Sequence, residues 1–197
     1  PAGMLASIIA AQQGNRVLLL ERNDRLGKKL LITGKGRCNV TNACTAQEVL
    51  QNVPRNGRFL YSAMENYPPS AIMDFLESHG CQLKVERGNR VFPVSDKSAS
   101  VLECLRNVMH RSGVQVRTER VLEILGDENG VTGVKTAREQ INAKWVILAT
   151  GGVSYPATGS TGDGYEMARK LGHTIIEPEG SLVPLECAGA DCPDMQG

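Results

Sequence analysis

Aromatic side chains are scarce in this sequence: one Trp, four Tyr and three Phe make up 4% of 197 residues. Such a chain is poorly suited to be an aromatic-rich binding module. An excess of either charge is also missing, since 22 Lys/Arg face 21 Asp/Glu and leave a formal net charge of +1. No global field would therefore draw the protein to nucleic acid or to a membrane surface. No apolar run approaches the roughly 18 residues that a transmembrane helix needs. The opening residues carry no basic stretch followed by an apolar core. The six cysteines (Cys38, Cys44, Cys81, Cys104, Cys187 and Cys192) are dispersed and form no CxxC pair. That argues against a disulfide framework and for a reducing, cytoplasmic setting. Repeats and low-complexity tracts are absent too.

What is present is glycine, 21 residues of it, within an otherwise ordinary globular composition of 41% hydrophobic and 22% charged residues. The length suffices for one sizeable core and the start of a second domain. Gly3 to Gln13 reads as a helix with Met4, Leu5, Ile8 and Ile9 on a broad apolar face, stopped by Gly14. Arg16 to Glu21 (RVLLLE) has the near-continuous apolar character of a buried parallel strand. Arg58 to His79 predicts helices broken at Pro68-Pro69. Gln82–Glu86 and Arg90–Val94 predict a hairpin around Arg87-Gly88-Asn89. A helix capped by Ser98 or Ser100 runs through Ser112. Four short β runs follow: Val114–Arg117, Val121–Leu125, Val131–Thr136 and Gln140–Leu148. Within the last of these, Trp145 to Ala149 forms a second buried-strand pattern, and Thr161 to Lys170 closes with a helix.

Three segments point to chemistry. Pro1-Ala2-Gly3 opens a helix, and Glu21 ends the next strand. In a dinucleotide-binding βαβ unit a glycine turn seats a pyrophosphate on the helix N-terminus, and an acid about 20 residues on holds the ribose. Gly3 would be the third glycine of that fingerprint, although an ordinary βαβ crossover would give the same half-pattern. The second segment, from Arg22 to Asn42, contains Gly27, Lys28, Lys29, Gly34, Lys35, Gly36, Arg37, Cys38 and Asn39. From Arg16 to Arg37 seven Lys/Arg oppose only Glu21 and Asp24. Glycines let backbone amides approach an anion that the cations neutralise; a solvated basic loop is the simpler alternative. The third segment is Ala149-Thr150-Gly151-Gly152, followed by Gly159-Ser160-Thr161-Gly162-Asp163-Gly164 at a helix start. Asp163 there reads equally well as a first-turn acid.

Together LGKKLLITGKGRCNVTN, GRFLYSA, RVFPVSDKS and ATGGVSYPATGSTGDGYEMARKLGH resemble the bacterial FAD/NAD(P)-utilising flavoproteins, a family that includes aminoacetone oxidase-like proteins and uncharacterised dehydrogenases. The resemblance runs from Pro1 to about Leu185. It implies an α/β fold: a Rossmann-like FAD-binding domain with a βαβ unit and a small antiparallel β element. It also implies that the chain begins inside its fingerprint, without the first strand, and is truncated before a β-rich inserted domain. The expected division is 1–178 for the FAD-binding domain and 179–197 for the start of the insertion, entered at Leu182–Leu185. The implied cofactor contacts are Pro1, Ala2 and Gly3 at the pyrophosphate, Glu21 with Arg22 at the ribose, and Gly27, Lys28, Lys29, Gly36, Arg37, Cys38 and Asn39 alongside. Val121 would reach the adenine through its backbone, and Ala149, Thr150 and Gly151 would pass beneath the dinucleotide.

The activity so implied is FAD-dependent oxidoreduction, with a hydride moving between NAD(P)H or an organic substrate and a second acceptor. NAD(P)H is a candidate co-substrate. The expected partner is a small molecule, with neither nucleic acid nor membrane. A flavin-dependent RNA-modifying protein and a non-catalytic flavin-binding regulator are the alternatives. The sequence leaves the catalytic residues and the oligomeric state open. Cys38 and Cys44, with five residues between them, do not match a disulfide-reductase pair. Cys187 and Cys192 have no further ligand nearby, so no metal site is expected. His79, His110 and His173 fall at predicted helix ends and read as caps.

Overall fold

A computed structural model describes residues 1–180. The expected boundary at 178/179 sits at the edge of that range. Leu182–Leu185, Cys187 and Cys192 lie outside the described residues.

The first unit is helix α1 (Ala2–Gln12) followed by strand β1 (Leu18–Glu21). β1 pairs in parallel with β5 (Gln115–Thr118), in a register that sets Glu21 opposite Thr118. Between them in sequence come α2 (Lys28–Ile32), β2 (Thr41–Asn42), α3 (Ala46–Gln51), α4 (Tyr61–Asn66), α5 (Pro69–Ser78), the hairpin β3 (Leu83–Glu86) and β4 (Arg90–Pro93), and α6 (Ser98–Arg111). β2, β4 and β3 form a small antiparallel sheet. β6 (Val121–Asp127), β7 (Gly130–Thr136) and β8 (Gln140–Asn142) form an antiparallel meander, and α7 (Asp163–Lys170) ends the described chain.

The amphipathic α6 makes the core. Its Val101, Leu102, Leu105, Val108 and Met109 are all buried, spaced to share one face. They meet Met4 and Ile8 of α1, Leu30 of α2, Leu76 of α5, and Cys38, Cys81 and Cys104. A smaller cluster joins Ile124 of β6, Val134 of β7 and Met167 of α7.

Three expectations need correction, and one helix went unforeseen. The basic segment after Glu21 is not one open loop, because Lys28–Ile32 folds as α2. Its Leu30 is drawn into the core, and only Thr33–Gly36 turns as a 3-10 segment with Gly34 and Lys35 at left-handed angles. Neither Ser98 nor Ser100 caps α6; Lys97 holds the cap position, and the Ser98 hydroxyl donates to Leu31 O instead, 3.1 Å away. Trp145–Ala149 is not a buried strand. Trp145 is 86% exposed and Ile147 64% exposed, because a strand needs a hydrogen-bonding neighbour and none lies beside this run among the described residues. Helix α3 escaped prediction, although Thr45 and Glu48 form a complete capping box at its start.

Candidate functional site

The C-terminal end of a parallel strand pair is where open α/β sheets bind ligands, and Glu21 stands there. Its Oε1 accepts from the backbone N and from the side-chain Nδ2 of Asn23, both at 2.8 Å. Both bonds land on one oxygen; Oε2 has no hydrogen bond among the described residues. Asn23 also donates to Thr158 O at 3.1 Å, so the residue that orients Glu21 also holds the loop 151–162. Beside it, Glu119 N donates to Glu21 O at 2.8 Å. One carboxylate oxygen of Glu119 is fully buried and unpartnered.

α1 begins at the same edge. Pro1 O accepts from Leu5 N at 3.0 Å, and no side chain caps the helix or places an acid in its first turn. Its first amide N–H groups are left for an outside acceptor. Gly3 is packed so closely that an added Cβ would sit 3.2 Å from Ala149 Cβ. Two motifs nearly 150 residues apart in sequence thus meet at one point.

Cations fasten the loop that follows. Lys29 Nζ donates to Ser154 O at 2.6 Å and to Ser160 Oγ at 2.5 Å. Arg22 reaches Thr161 Oγ1 at 2.5 Å and pairs with Asp163 Oδ2 at 3.0 Å. Arg120, which precedes β6, pairs with the same Oδ2 at 2.9 Å. The Thr161 hydroxyl, then Arg120 and Arg22, hold the Asp163 carboxyl below the usual carboxylate range. Thr150 packs on Gly164, and Gly151 lies at φ +76° against Ser160. Val121 lines a shallow pocket of about 170 Å³ together with Arg120 and Asp163.

The other predicted residues have partners elsewhere. Gly27, at φ +77°, packs on α6, where an added Cβ would strike Leu102 Cδ1 at 2.6 Å. Lys28 pairs with Asp24 at 2.7 Å. Gly36 lies at φ +85°. Arg37 pairs with Glu86 and Asp96 and stacks 4.1 Å above the Phe92 ring centroid. These two partners hold its guanidinium firmly protonated. Cys38 is 5% exposed, and burial pushes its thiol up. The Asn39 amide, oriented to donate, reaches Thr41 O and Val91 O. His79 caps α5 as expected, its Nδ1 lying 2.7 Å from Phe75 O. Sequence reasoning missed Asn23, Glu119 and the bridging role of Asp163. An amide two residues past the strand-ending acid was the available signal for Asn23.

A family model for the HI0933-like protein Rossmann domain matches residues 1–190. The chain belongs to the HI0933-like Rossmann domain family. This is the FAD-utilising family to which GKGRCNVTN and TGSTGDGY pointed. Among curated relatives of this HI0933-like domain, a 3-dehydro-bile acid delta(4,6)-reductase from Clostridium scindens is 33% identical over 94% of the chain. Ribosomal RNA dihydrouridine synthases from Escherichia coli and Haemophilus influenzae are 29% and 28% identical, each over 93% of it. The chain spans about 45% of the length of these relatives. The crystal structure of Thermovibrio ammonificans THI4 superposes with a TM-score of 0.57 at 16% identity, over 88% of this chain and 60% of that one. It supports the Rossmann-type α/β fold. Among the described residues no helix is long and apolar enough to cross a membrane, and no cluster of metal-ligating side chains occurs.

Proposed function

We propose that this domain binds FAD and serves an oxidoreductase that moves a hydride between NAD(P)H or an organic substrate and a second acceptor. The observation that carries the reading is Glu21. A carboxylate held by Asn23 through one oxygen keeps the other open, at the strand end where a ribose diol would lie. The uncapped first turn of α1 offers amides and a positive dipole end to a pyrophosphate. The orphaned Glu119 oxygen adds an acceptor awaiting a donor beside Glu21. The residues present therefore fit the adenosine diphosphate half of FAD. When bound, FAD supplies the hydride-accepting ring; the protein's own residues orient the cofactor and set the charge around it.

In this reading Lys29, Arg22 and Asn23 tie the loop 151–162 to the edge of the site. The reductase named among the relatives supports oxidoreductase chemistry. Free Cys38, Cys44, Cys81 and Cys104 support a cytoplasmic location. The purified protein is expected to show flavin absorbance bands and to oxidise NAD(P)H. A colourless protein that gains no flavin on incubation with FAD would end the proposal.

A second reading, an RNA-modifying flavoprotein, draws on the two ribosomal RNA dihydrouridine synthases. One surface favours it: Phe59 is 85% exposed and Tyr61 62% exposed, beside exposed Arg55 and Arg58. Exposed rings among arginines suit unstacked bases. Retention of labelled ribosomal RNA by the wild-type protein, lost in Phe59→Ala/Tyr61→Ala, distinguishes it from the small-molecule reading.

A further inference from the structure

Tyr155 is held in an unfavourable backbone conformation, at φ +51° and ψ +68°. For a bulky aromatic residue this is a true outlier, and it persists only where the surroundings over-determine it. They do so here. Lys29 Nζ binds Ser154 O on one side. On the other, Thr158 N and Oγ1 both donate to Tyr155 O, at 2.9 and 2.7 Å. Thr158 O is in turn held by Asn23, the residue that orients Glu21. The ring gains nothing from the fold in return. It is 71% exposed, and its hydroxyl has no hydrogen-bond partner among the described residues. In a chain with 4% aromatics, a strained loop strapped to the candidate site holds a ring out to solvent.

We propose that Tyr155 is a binding residue: its ring is the platform on which a planar heterocycle bound at this strand edge stacks. The proposal rests on the FAD reading above. Two ligands offer that chemistry, the ring systems of FAD itself and the nicotinamide ring of NAD(P)H.

The experiment compares wild-type protein with Tyr155→Ala, Tyr155→Trp and Tyr155→Gly. Glycine suits the positive φ, so Tyr155→Gly removes the ring while relieving the backbone. Each protein is assayed for FAD dissociation constant, bound-flavin fluorescence, and KM and kcat with NADH and NADPH. If the ring stacks on the cofactor, both Ala and Gly weaken FAD about tenfold. They also brighten the bound flavin, because a stacked phenol quenches flavin emission by electron transfer; Trp restores the quenching. If the ring stacks on the co-substrate, FAD affinity and fluorescence hold, while KM rises about tenfold at constant kcat and Trp restores it. Either pattern supports the platform. Flavin-loaded Ala and Gly variants matching wild type in all four measurements overturn it and leave the FAD reading standing. Absence of flavin from the wild-type protein overturns both.

Discussion

Two regions of the described chain, around α6 and around α7, are built on different physics. Around α6 the fold is held by apolar packing, with thirteen buried residues in one cluster. Around α7 only Ile124, Val134 and Met167 are buried in a cluster. That half is fastened by polar bonds instead, from the residues just after β1, from α2 and from the residue before β6: Arg22 and Arg120 to Asp163, Lys29 to Ser154 and Ser160, and Asn23 to Thr158. Apolar packing is non-directional and insensitive to charge, whereas the polar straps are directional and titrate. The α6 half is thus the scaffold, and the α7 half is tied to it by directional bonds beside the candidate site. Binding groups carried on loops over a rigid base are the common arrangement.

The sharpest way to break this comparison is to empty each half in turn. Ile8, fully buried between α1 and α6, is the scaffold test. Ile8→Ala is expected to cost about 2–5 kcal/mol, because the surroundings relax only partly into the cavity. The denaturant midpoint reads it, and a loss under 1 kcal/mol would mean that α6 is not the organising element. Glu21→Ala is the site test. It is expected to weaken FAD by about 1.5–3 kcal/mol, the worth of a charge-assisted hydrogen bond, while the denaturant midpoint of the cofactor-free protein stays nearly constant. Unchanged FAD affinity would remove Glu21 from the site.

The sequence showed the helix and strand that carry Gly3 and Glu21, and hid the polar straps. Gly3 and Glu21 were legible because a helix, a strand and a fixed spacing follow from local periodicity. The meeting of Gly3 with Ala149 was not legible, since nothing local links two residues so far apart. Asp163 stayed ambiguous as a first-turn acid. Its two arginine partners come from the end of β1 and the start of β6, and sequence does not report such distances. Arg37 illustrates the converse. A cation among glycines suggested an anion site, yet Glu86 and Asp96 of the β3–β4 region neutralise it and Phe92 carries its plane. The pattern WVILA was read as buried because apolar runs usually are. Burial requires a neighbour, and hydropathy does not supply one.

Asp163 provides a smaller test that separates the halves by pH. Its carboxyl titrates lower in the folded protein than its ordinary value near 3.9. Stabilisation from a depressed acid is fully present above the unfolded value and disappears as pH falls through the folded one. Asp163→Asn is therefore expected to cost about 1 kcal/mol at pH 7, kept modest because Arg120 is half exposed to solvent. As pH falls through the folded value the wild type and the variant should converge. Ile8→Ala carries no charge and should show the same deficit at both pH values. A pH-independent Asp163→Asn deficit would mean that the carboxylate's charge is not what fastens α7 to β1.

The smallest expected effect concerns the cysteines, and it asks whether redox chemistry belongs to the scaffold at all. Cys38 lies in the scaffold core against Leu30 and α6, at φ +62°. Burial pushes its thiol up, and burial likewise pushes Cys81 up to about 11. Nucleophilic and disulfide-forming cysteines need the thiolate, so a buried thiol with a raised pKa is inert at neutral pH. Cys44 is the half-buried member and the only sequence neighbour of Cys38; both are free. If Cys38 and Cys44 exchanged electrons with the flavin, removing either sulfur would abolish turnover. If both are packing residues, Cys44→Ser should hold NAD(P)H oxidation within about twofold of wild type, the scale of an ordinary peripheral substitution. The measurement is steady-state NAD(P)H oxidation, with a thiol count under denaturing conditions before and after turnover. A thiol count that falls by two in the wild type alone, together with lost activity in Cys44→Ser, would move redox function from the site's polar wall into the scaffold and reverse the comparison.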